Sequence, residues 1–459
     1  MKVAGVIAEF DPFHNGHAYF LRRVRELTSA DFIIAVMSGD FTQRGNIAVA
    51  GKKLRAEAAL KNGADLIIEL PLQYATASAE LFAMGGVSLL DSTGVVDTVC
   101  FGTEEEDIET LKAAADILAG ETDSFRQALA AHLKEGMNYP AARMKVVKEL
   151  MFTDPGPEEA GREAVDKRHG HAGYVSEEKL NEALTKPNNI LAVEYLKALK
   201  RLGSEMKPVN IKRGAVDHDS ANTYGIYSSA KNIRRILKTT RSMDAVSGYL
   251  PENTVSLMKG HFGTDFPLFD DDMSSLLRYR LLMENEDSMI RYADMSPELA
   301  HRIINKRDEF ISLTQFTELL KTRNLTYTRI SRALLHVFLS VTKEDMRLYL
   351  KGSARPCANE GQVIDAAAGN NSIAGYIRVL GFKRKAASLM EGMKGASSVP
   401  VISKAADYKK FLKSTDKRMF EDTLRASGIY CSIIKDIYGT DVPSDISSMA
   451  IGNDDYIIF

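Results

Sequence analysis

Two histidines near the start of the chain stand in a setting that suits phosphate chemistry. His14 and His17 lie three residues apart around Gly16, soon after an apolar run over residues 3–8. The run is short and rich in β-branched residues, so it predicts a buried strand of a parallel sheet. Residues 18–27 predict a helix. A strand, a turn and a helix N-terminus form a site for a phosphate group, because free N–H groups and the helix dipole face it.

The Asp11-Pro12 pair ends the predicted strand, because Pro12 has no N–H to give to a sheet ladder. The string Gly-Val-Ile-Ala-Glu-Phe-Asp-Pro-Phe-His-Asn-Gly-His, residues 5–17, resembles the His-x-Gly-His signature of the nucleotidyltransferase superfamily. That resemblance implies attack on the α-phosphate of ATP with release of pyrophosphate. His14 and His17 would then donate hydrogen bonds to phosphate oxygens. The alternative is a pair of core histidines beside a loop.

A second polar segment, Ser-Gly-Asp-Phe-Thr-Gln-Arg-Gly over residues 38–45, follows the next predicted strand. Asp40 is a candidate for taking a cation or a proton, and Arg44 is a candidate for a phosphate or a carboxylate. The alternative is a polar turn with solvated charges. Lys52 and Arg55, one helical turn apart, either extend the phosphate site or form an exposed basic helix face.

Amide and basic side chains follow further along the chain. Asn188 and Asn189 open a predicted helix, and capping explains one of them, since Asn is a common N-cap. The other amide is a candidate for an adenine edge or a ribose. Arg213 and Gly214 end an apolar stretch, and a basic residue followed by glycine at a strand end suits nucleotide contact.

Two hydroxyls at the start of another predicted helix form the next motif. Ser228 and Ser229 are followed by Arg234 about one and a half turns later. This resembles the second signature of the same superfamily, which holds the β- and γ-phosphates. Because serine is an ordinary N-cap, the motif becomes specific only when it is paired with the first one.

Strand-like and helix-like segments alternate in the first half of the chain. Strands are predicted at residues 3–8, 32–37, 66–70 and 98–101, with helices at 18–27, 52–62 and 77–90. This alternation predicts an α/β fold with a doubly wound, Rossmann-like parallel sheet that binds ligands at the carboxyl ends of its strands. Past residue 245 amphipathic helices dominate, which predicts a mainly α-helical C-terminal domain. Residues 440–459 are expected to be less ordered.

The predicted organisation is therefore a nucleotidyltransferase-like catalytic domain at residues 1–245 and a helical domain at residues 246–459. A polar excursion at about residues 151–182 interrupts the first domain. It contains His169 and His171, which suit either a metal site or a solvated loop.

Composition excludes several classes of protein. Of 459 residues, 45% are apolar and 26% charged, and the net charge of -2 excludes a globally basic nucleic-acid binder but not a local basic patch. Cys100, Cys357 and Cys431 lie far apart, so neither a disulfide framework nor a zinc site is indicated. No apolar run is long enough to span a membrane and no signal-peptide pattern is present, so a cytoplasmic protein is expected.

A basic stretch in the helical part is a candidate RNA contact. Arg323, Tyr327, Arg329 and Arg332 lie close together, and arginines interleaved with a tyrosine suit an RNA backbone with an unstacked base. The alternative is a solvated basic face.

Together the motifs resemble those of the bacterial tRNA(Met) cytidine acetate ligase family. The resemblance covers roughly residues 1–400 and is carried by Glu-Phe-Asp-Pro-Phe-His-Asn-Gly-His, Val-Met-Ser-Gly-Asp-Phe-Thr-Gln-Arg-Gly, Ala-Asp-Leu-Ile-Ile-Glu-Leu-Pro, Pro-Asn-Asn-Ile-Leu and Thr-Tyr-Thr-Arg-Ile. It implies a ligase that activates acetate with ATP and acetylates the N4 amine of the wobble cytidine of elongator tRNA(Met). Mg²⁺ is expected to accompany the ATP, and its protein ligands are unknown. The resemblance implies neither a membrane nor a protein partner.

The resemblance also implies a set of site residues. The ATP contacts would be Ile7, Ala8, Glu9, Phe10, Asp11, Pro12, Phe13, His14, Asn15, Gly16, His17, Ala18, Tyr19, Phe20, Gly102, Asn188, Arg213 and Gly214. From the motifs themselves we expect the catalytic set to be His14, His17, Asp40, Ser228, Ser229 and Arg234, with Asp40 as the candidate for receiving the amine proton.

Three features depart from the family pattern. Asp11 stands where Asn is common, Asp217 stands where Tyr is common, and the polar excursion is longer than in some relatives. Two other functions stay open: a nucleotidyltransferase that makes a small-molecule cofactor, and a noncatalytic tRNA-binding protein.

Overall fold

A computed structural model describes residues 1–104, 107–120, 122–137, 139–152, 177–213, 225–352, 373, 375–448 and 450–459. The strands are β1 (Val3–Ala8), β2 (Phe32–Ser38), β3 (Leu66–Leu70), β4 (Thr98–Thr103), β5 (Lys207–Lys212), β6 (Ile377–Lys383), β7 (Val401–Ile402), β8 (Ile451–Gly452) and β9 (Tyr456–Ile458). The α-helices in the first half are Asn15–Thr28, Lys52–Lys61, Leu72–Ala75, Ala79–Ser92, Ile108–Gly120, Asp123–Lys134, Tyr139–Phe152, Glu177–Thr185 and Pro187–Leu202. Those that follow are Ala230–Thr240, Glu252–His261, Ser274–Met283, Glu286–Ile290, Pro297–Lys306, Leu313–Leu320, Tyr327–Leu339, Lys343–Gly352, Ala387–Ala396, Tyr408–Phe411 and Ser414–Tyr438.

The first three strands are parallel neighbours. In register, Val3 of β1 faces Phe32 of β2, and Ile34 of β2 faces Leu66 of β3. The strands are almost continuous apolar runs, and most of their residues are buried, as expected for a parallel sheet covered by helices. The predicted α/β fold is confirmed. Because the strands are parallel, the segments that follow them leave the sheet at one edge.

Strands from the end of the chain extend this sheet. β6 pairs antiparallel with β3, β9 pairs with β6, and β8 pairs with β9. The expectation of less order over residues 440–459 is therefore wrong for residues 451–458, which contain β8 and β9. Gly381 interrupts the apolar pattern of β6, and glycine is required there because a Cβ would lie 2.7 Å from the carbonyl oxygen of Ile457. The functional boundary at residue 245 stays a prediction.

The C-terminal helices pack on the loops at the carboxyl edge of the sheet. Their core contains Phe316, Leu334 and Phe338, and it also takes in Phe41 from the loop after β2 and Leu72 from the segment after β3. This helical part therefore supports the loops in which the candidate residues lie.

By contacts, the chain forms two compact units, residues 1–99 with 215–459, and residues 100–214. In the second unit β4 and β5 are neighbouring strands, and the helices Ile108–Gly120 and Pro187–Leu202 pack on each other. Among the described residues, none of the helices is long and apolar enough to cross a membrane. Most of the predicted polar excursion, residues 153–176, lies outside the described residues.

Candidate active site

The turn after β1 orients both candidate histidines. His14 is the N-cap of the helix Asn15–Thr28, and its Nδ1 accepts a hydrogen bond from the main-chain N–H of Gly16 at 3.0 Å. The main-chain N–H of His14 donates to Nδ1 of His17 at 3.3 Å, and the two rings stack 3.8 Å apart. Because both Nδ1 atoms are acceptors, these hydrogen bonds assign the proton of each neutral ring to Nε2. The turn thus places two Nε2–H donors beside a helix N-terminus, where an anion is stabilised.

Asp11 ties this turn to two other segments. Its Oδ1 accepts from the main-chain N–H of Val49 at 2.7 Å, which holds the loop after β2. Arg234 donates to the carbonyl oxygen of Asp11 at 2.5 Å and lies 3.3 Å from its Oδ2. The preceding residue, Phe10, has a φ of 51°, a left-handed conformation that is strained for an aromatic residue and is more frequent at functional sites.

The second signature motif meets the first one. Asn15 donates through Nδ2 to the carbonyl oxygen of Ile226 at 2.9 Å, just before the two serines. Ser229 caps the helix Ala230–Thr240 by accepting from the N–H of Asn232, and Ser228 accepts from the side-chain amide of Asn232 at 2.9 Å. Capping therefore accounts for Ser229 locally, and contact of either serine with pyrophosphate stays a prediction.

Asp40 is buried rather than solvated. Its Oδ1 accepts from the main-chain N–H of Lys52 at 2.9 Å, and its Oδ2 accepts from the hydroxyl of Ser427 at 2.8 Å. The interpretation as a turn with a solvated Asp40 is wrong. Both carboxylate oxygens bond within the fold, and the predicted role of Asp40 as a proton acceptor stays a prediction.

Arg55 is a structural anchor. It is fully buried and donates to the main-chain carbonyl oxygens of Ala50, Glu9, Ser38 and Gly39, so that it links the segments after β1 and β2. The exposed basic helix face is therefore wrong for this residue.

Lys52 lies in a buried ionic cluster at the carboxyl ends of β2 and β3. Its Nζ donates to Glu69 at 2.7 Å, to Asp445 at 2.6 Å and to the hydroxyl of Ser427 at 2.7 Å. Arg378 of β6 pairs with Glu69 at 2.6 Å and with Asp445 at 2.9 Å. The cluster fastens the end of the chain to the sheet.

The charges in this cluster shift one another's pKa values. Burial favours the neutral carboxyl of Asp445, but the cations Arg378 and Lys52 outweigh it and hold the pKa of Asp445 well below its usual range. Burial and Arg378 disfavour the charged form of Lys52, yet the surrounding carboxylates raise its pKa. Sequence reasoning missed Arg378 and Asp445. The available signal was Glu69, since a carboxylate in an otherwise apolar strand requires a buried partner.

Three of the predicted ATP contacts lie together in the second unit. Nη1 of Arg213 is 3.5 Å from Oδ1 of Asn188, and a Cβ on Gly102 would lie 3.2 Å from Cγ of Arg213. Glu104, which sequence reasoning missed, accepts from the side chain of Asn188 and from the N–H of Asn189 at 3.0 Å. Gly214 lies outside the described residues.

The predicted RNA contacts lie around the start of the helix Tyr327–Leu339. Arg323 is exposed, and Arg329 and Tyr327 are half-buried; burial raises the pKa of Tyr327 to about 12. Arg332 pairs with Asp294 at 2.8 Å. RNA contact by these four residues stays a prediction.

Among the described residues, no group of three or more His, Cys, Asp and Glu side chains is arranged to hold a metal ion. Cys100 and Cys431 are free thiols. His169, His171 and Cys357 lie outside the part of the chain that the structure describes.

Comparisons with known proteins identify the family to which the chain is similar. Residues 1–443 match the family model described as HIGH Nucleotidyl Transferase. A tRNA(Met) cytidine acetate ligase from Acetivibrio thermocellus is 33% identical over 95% of this chain and 96% of its own length. One from Clostridium kluyveri is 35% identical over 88% of this chain and 90% of its own length.

The chain belongs to the tRNA(Met) cytidine acetate ligase family. The resemblance found in the motifs is thereby confirmed. Crystal structures of Thermotoga maritima TmcAL are similar over 98% of both chains at 31% identity, with a TM-score of 0.83 for the apo form and 0.81 for the form bound with alpha-thio ATP.

Proposed function

We propose that this protein is an ATP-dependent ligase that activates acetate as acetyl-adenylate and acetylates the N4 amine of the wobble cytidine of elongator tRNA(Met). The observation that carries the proposal is the turn after β1, with two Nε2–H donors at a helix N-terminus and Arg234 bonded to the same turn. The names of the family's members supply the substrates.

In the first step an acetate oxygen attacks the α-phosphorus of ATP and pyrophosphate leaves. His14 and His17 donate from Nε2 to the oxygens of the α-phosphate, where negative charge increases in the transition state. Arg234 and the serines at the start of the helix Ala230–Thr240 hold the departing pyrophosphate. Because the turn is already fixed by hydrogen bonds, little reorganisation is needed.

In the second step the exocyclic amine of the cytidine attacks the acyl carbon and AMP leaves. The base must leave its stack to reach the site, which a single-stranded anticodon loop permits. Asp40 receives the amine proton in this proposal. Mg²⁺ would accompany ATP, held mostly by phosphates and water. In this proposal the reaction takes place in the cytoplasm, where tRNA and ATP are both available.

Exchange of labelled pyrophosphate into ATP tests the first step. The assay is run with and without acetate in the absence of RNA, and acetate-dependent exchange is the expected result. No exchange, either alone or after adding tRNA(Met), would refute the ligase. Exchange without any RNA-dependent release of AMP would favour a nucleotidyltransferase that makes a small-molecule cofactor, because such an enzyme keeps the AMP moiety in its product.

His17→Ala is the matching variant. It should abolish exchange and leave the fold intact, because His14 keeps its bond to Gly16. His301→Ala is the control, since this histidine is exposed on the helix Pro297–Lys306 and pairs with the nearby polar group of Glu286. Normal exchange by a folded His17→Ala protein would refute the role of His17.

A further inference from the structure

A cavity of about 250 Å³ lies between the segment after β3 and the C-terminal helices. Ala77, Leu81, Ala293 and Met346 form its apolar wall. Apolar walls of this kind pack against the face of a nucleobase or a sugar, and polar groups at the rim then set the orientation.

Two cations stand at the rim of this cavity. Lys343 and Arg347 are four residues apart on the helix Lys343–Gly352, so they share one face. Lys343 is half-buried and Arg347 is exposed. Within the described ranges, no carboxylate forms an ion pair with either of them. Two neighbouring unpaired cations suit a phosphate group.

A buried histidine lines the same cavity. His336 is almost fully buried, and its Nε2 lies 3.1 Å from the carbonyl oxygen of Thr76, so Nε2 carries the proton. Its Nδ1 has no hydrogen-bond partner in the described part of the chain, and Oδ2 of Asp294 lies 3.7 Å away. Asp294 itself has a φ of 58°. Buried polar atoms without a partner are rare, so Nδ1 of His336 suits a hydroxyl or amino donor of a ligand. Asp294, which is partly exposed and already accepts from Arg332 at 2.8 Å, can accept a second hydrogen bond beside it.

The cavity is connected to the candidate active site through the loop after β2. Gln43 donates through Nε2 to the carbonyl oxygen of Ala77 at 3.2 Å, and through its main-chain N–H to Glu9 at 2.7 Å. Glu9 lies in the segment of predicted ATP contacts. In addition, the hydroxyl of Ser331 donates to the carbonyl oxygen of Gly45 at 2.9 Å. A ligand in the cavity would therefore lie against the same loop as the nucleotide site.

We propose that this cavity is a subsite for one nucleotide of the RNA acceptor. The phosphate binds Lys343 and Arg347, the base or ribose packs on the apolar wall, and His336 and Asp294 accept from a hydroxyl or amino group. The subsite rests on the proposed function, since that function supplies the RNA. A free mononucleotide presents the same chemistry, so the test separates the two sources.

Charge reversal at the rim tests the subsite. Arg347→Glu and Lys343→Glu should each weaken tRNA(Met) binding on the order of tenfold at moderate salt. Each should also make the slope of log affinity against log salt concentration shallower by about one unit. Leu81→Trp, which fills the cavity, should weaken binding without changing the slope. Acetate-dependent pyrophosphate exchange without RNA should stay unchanged in all three. Lys394→Glu, an exposed lysine on the helix Ala387–Ala396, is the control.

Unchanged tRNA affinity in the folded rim variants would overturn the subsite. The subsite would also be overturned if the rim variants bound tRNA normally but lost binding of labelled AMP, because the cavity would then be a site for a free nucleotide. If the unaltered protein shows no exchange, the proposed ligase fails, but the comparison of tRNA affinities still decides whether the cavity binds RNA.

Discussion

Replacing Lys52 by Met tests the buried ionic cluster that fastens the end of the chain to the sheet. Its ammonium group donates to Glu69 and Asp445 and lies 3.8 Å from Asp40. The side chains of Lys52, Glu69 and Asp445 are between 1% and 6% exposed, so water cannot replace the lost partner. After the substitution Arg378 alone pairs with the two carboxylates. Removal of one partner from a buried ion pair costs about 3–5 kcal/mol, and we expect the free energy of unfolding to fall by that amount.

The free energy of unfolding that Lys52→Met removes should become smaller as the pH falls. The pKa of Asp445 lies well below its usual range in the fold, so its ion pairs stabilise the protein above the ordinary aspartate pKa, and this stabilisation is lost as the pH falls through the lowered value. Without Lys52 the pKa of Asp445 rises. The difference in stability between the two proteins should therefore be largest near neutral pH and become smaller below about pH 4.

Urea unfolding followed by circular dichroism at several pH values measures both effects. Lys61→Met is the matched control on the same helix, because Lys61 forms a partly exposed pair with Glu57 at 3.7 Å and such pairs contribute only about 0–1 kcal/mol. A loss below about 1 kcal/mol for Lys52→Met at pH 7, or a loss that does not change between pH 7 and pH 3, would contradict the reasoning.

Two further substitutions test the turn and the loop that form the candidate site. Arg234→Lys keeps the charge, but the lysine cannot reach both the carbonyl and the carboxylate of Asp11. The rate of acetate-dependent pyrophosphate exchange should therefore fall roughly 10- to 100-fold, the equivalent of one charge-assisted hydrogen bond. Arg235→Lys is the control and should have little effect on that rate. Gly45→Ala should lower the free energy of unfolding by more than about 1 kcal/mol, because Gly45 has a φ of 80° and a Cβ would lie 2.4 Å from the main-chain nitrogen of Arg332. Gly395→Ala, where a Cβ meets open space, should leave urea unfolding nearly unchanged.

Local patterns were sufficient to predict the strands and the turn at the start of the chain. β1 to β3 are apolar runs, and His14 and Gly16 signal a helix start within a few residues. β6 was missed because Gly381 and the buried Arg378 interrupt its apolar pattern. Whether those residues stabilise a strand depends on Glu69, which lies more than three hundred residues earlier. The hydrophobic pattern of a short sequence segment cannot show a partner that is so distant in the sequence.

The same limit explains why the basic residues were the hardest to interpret. Arg55 and Arg234 look alike in sequence, each being a cation near the start of a helix that follows a polar loop. Arg55 donates to four main-chain carbonyl oxygens and fixes the loops. Arg234 bonds to Asp11, and about a quarter of its side chain is exposed.

The carboxyl edge of the sheet therefore separates two kinds of cation. Lys52 and Arg378 pair with buried carboxylates, and Arg55 donates to main-chain carbonyl oxygens; all three hold the loops in place. Arg234 keeps part of its side chain accessible beside two histidines whose Nε2–H groups are set by their own hydrogen bonds. Stabilisation of a phosphate requires donors that are fixed before the ligand arrives. The buried cations provide that fixed frame, so their substitution should reduce both stability and exchange, whereas substitution of Arg234 should reduce exchange alone.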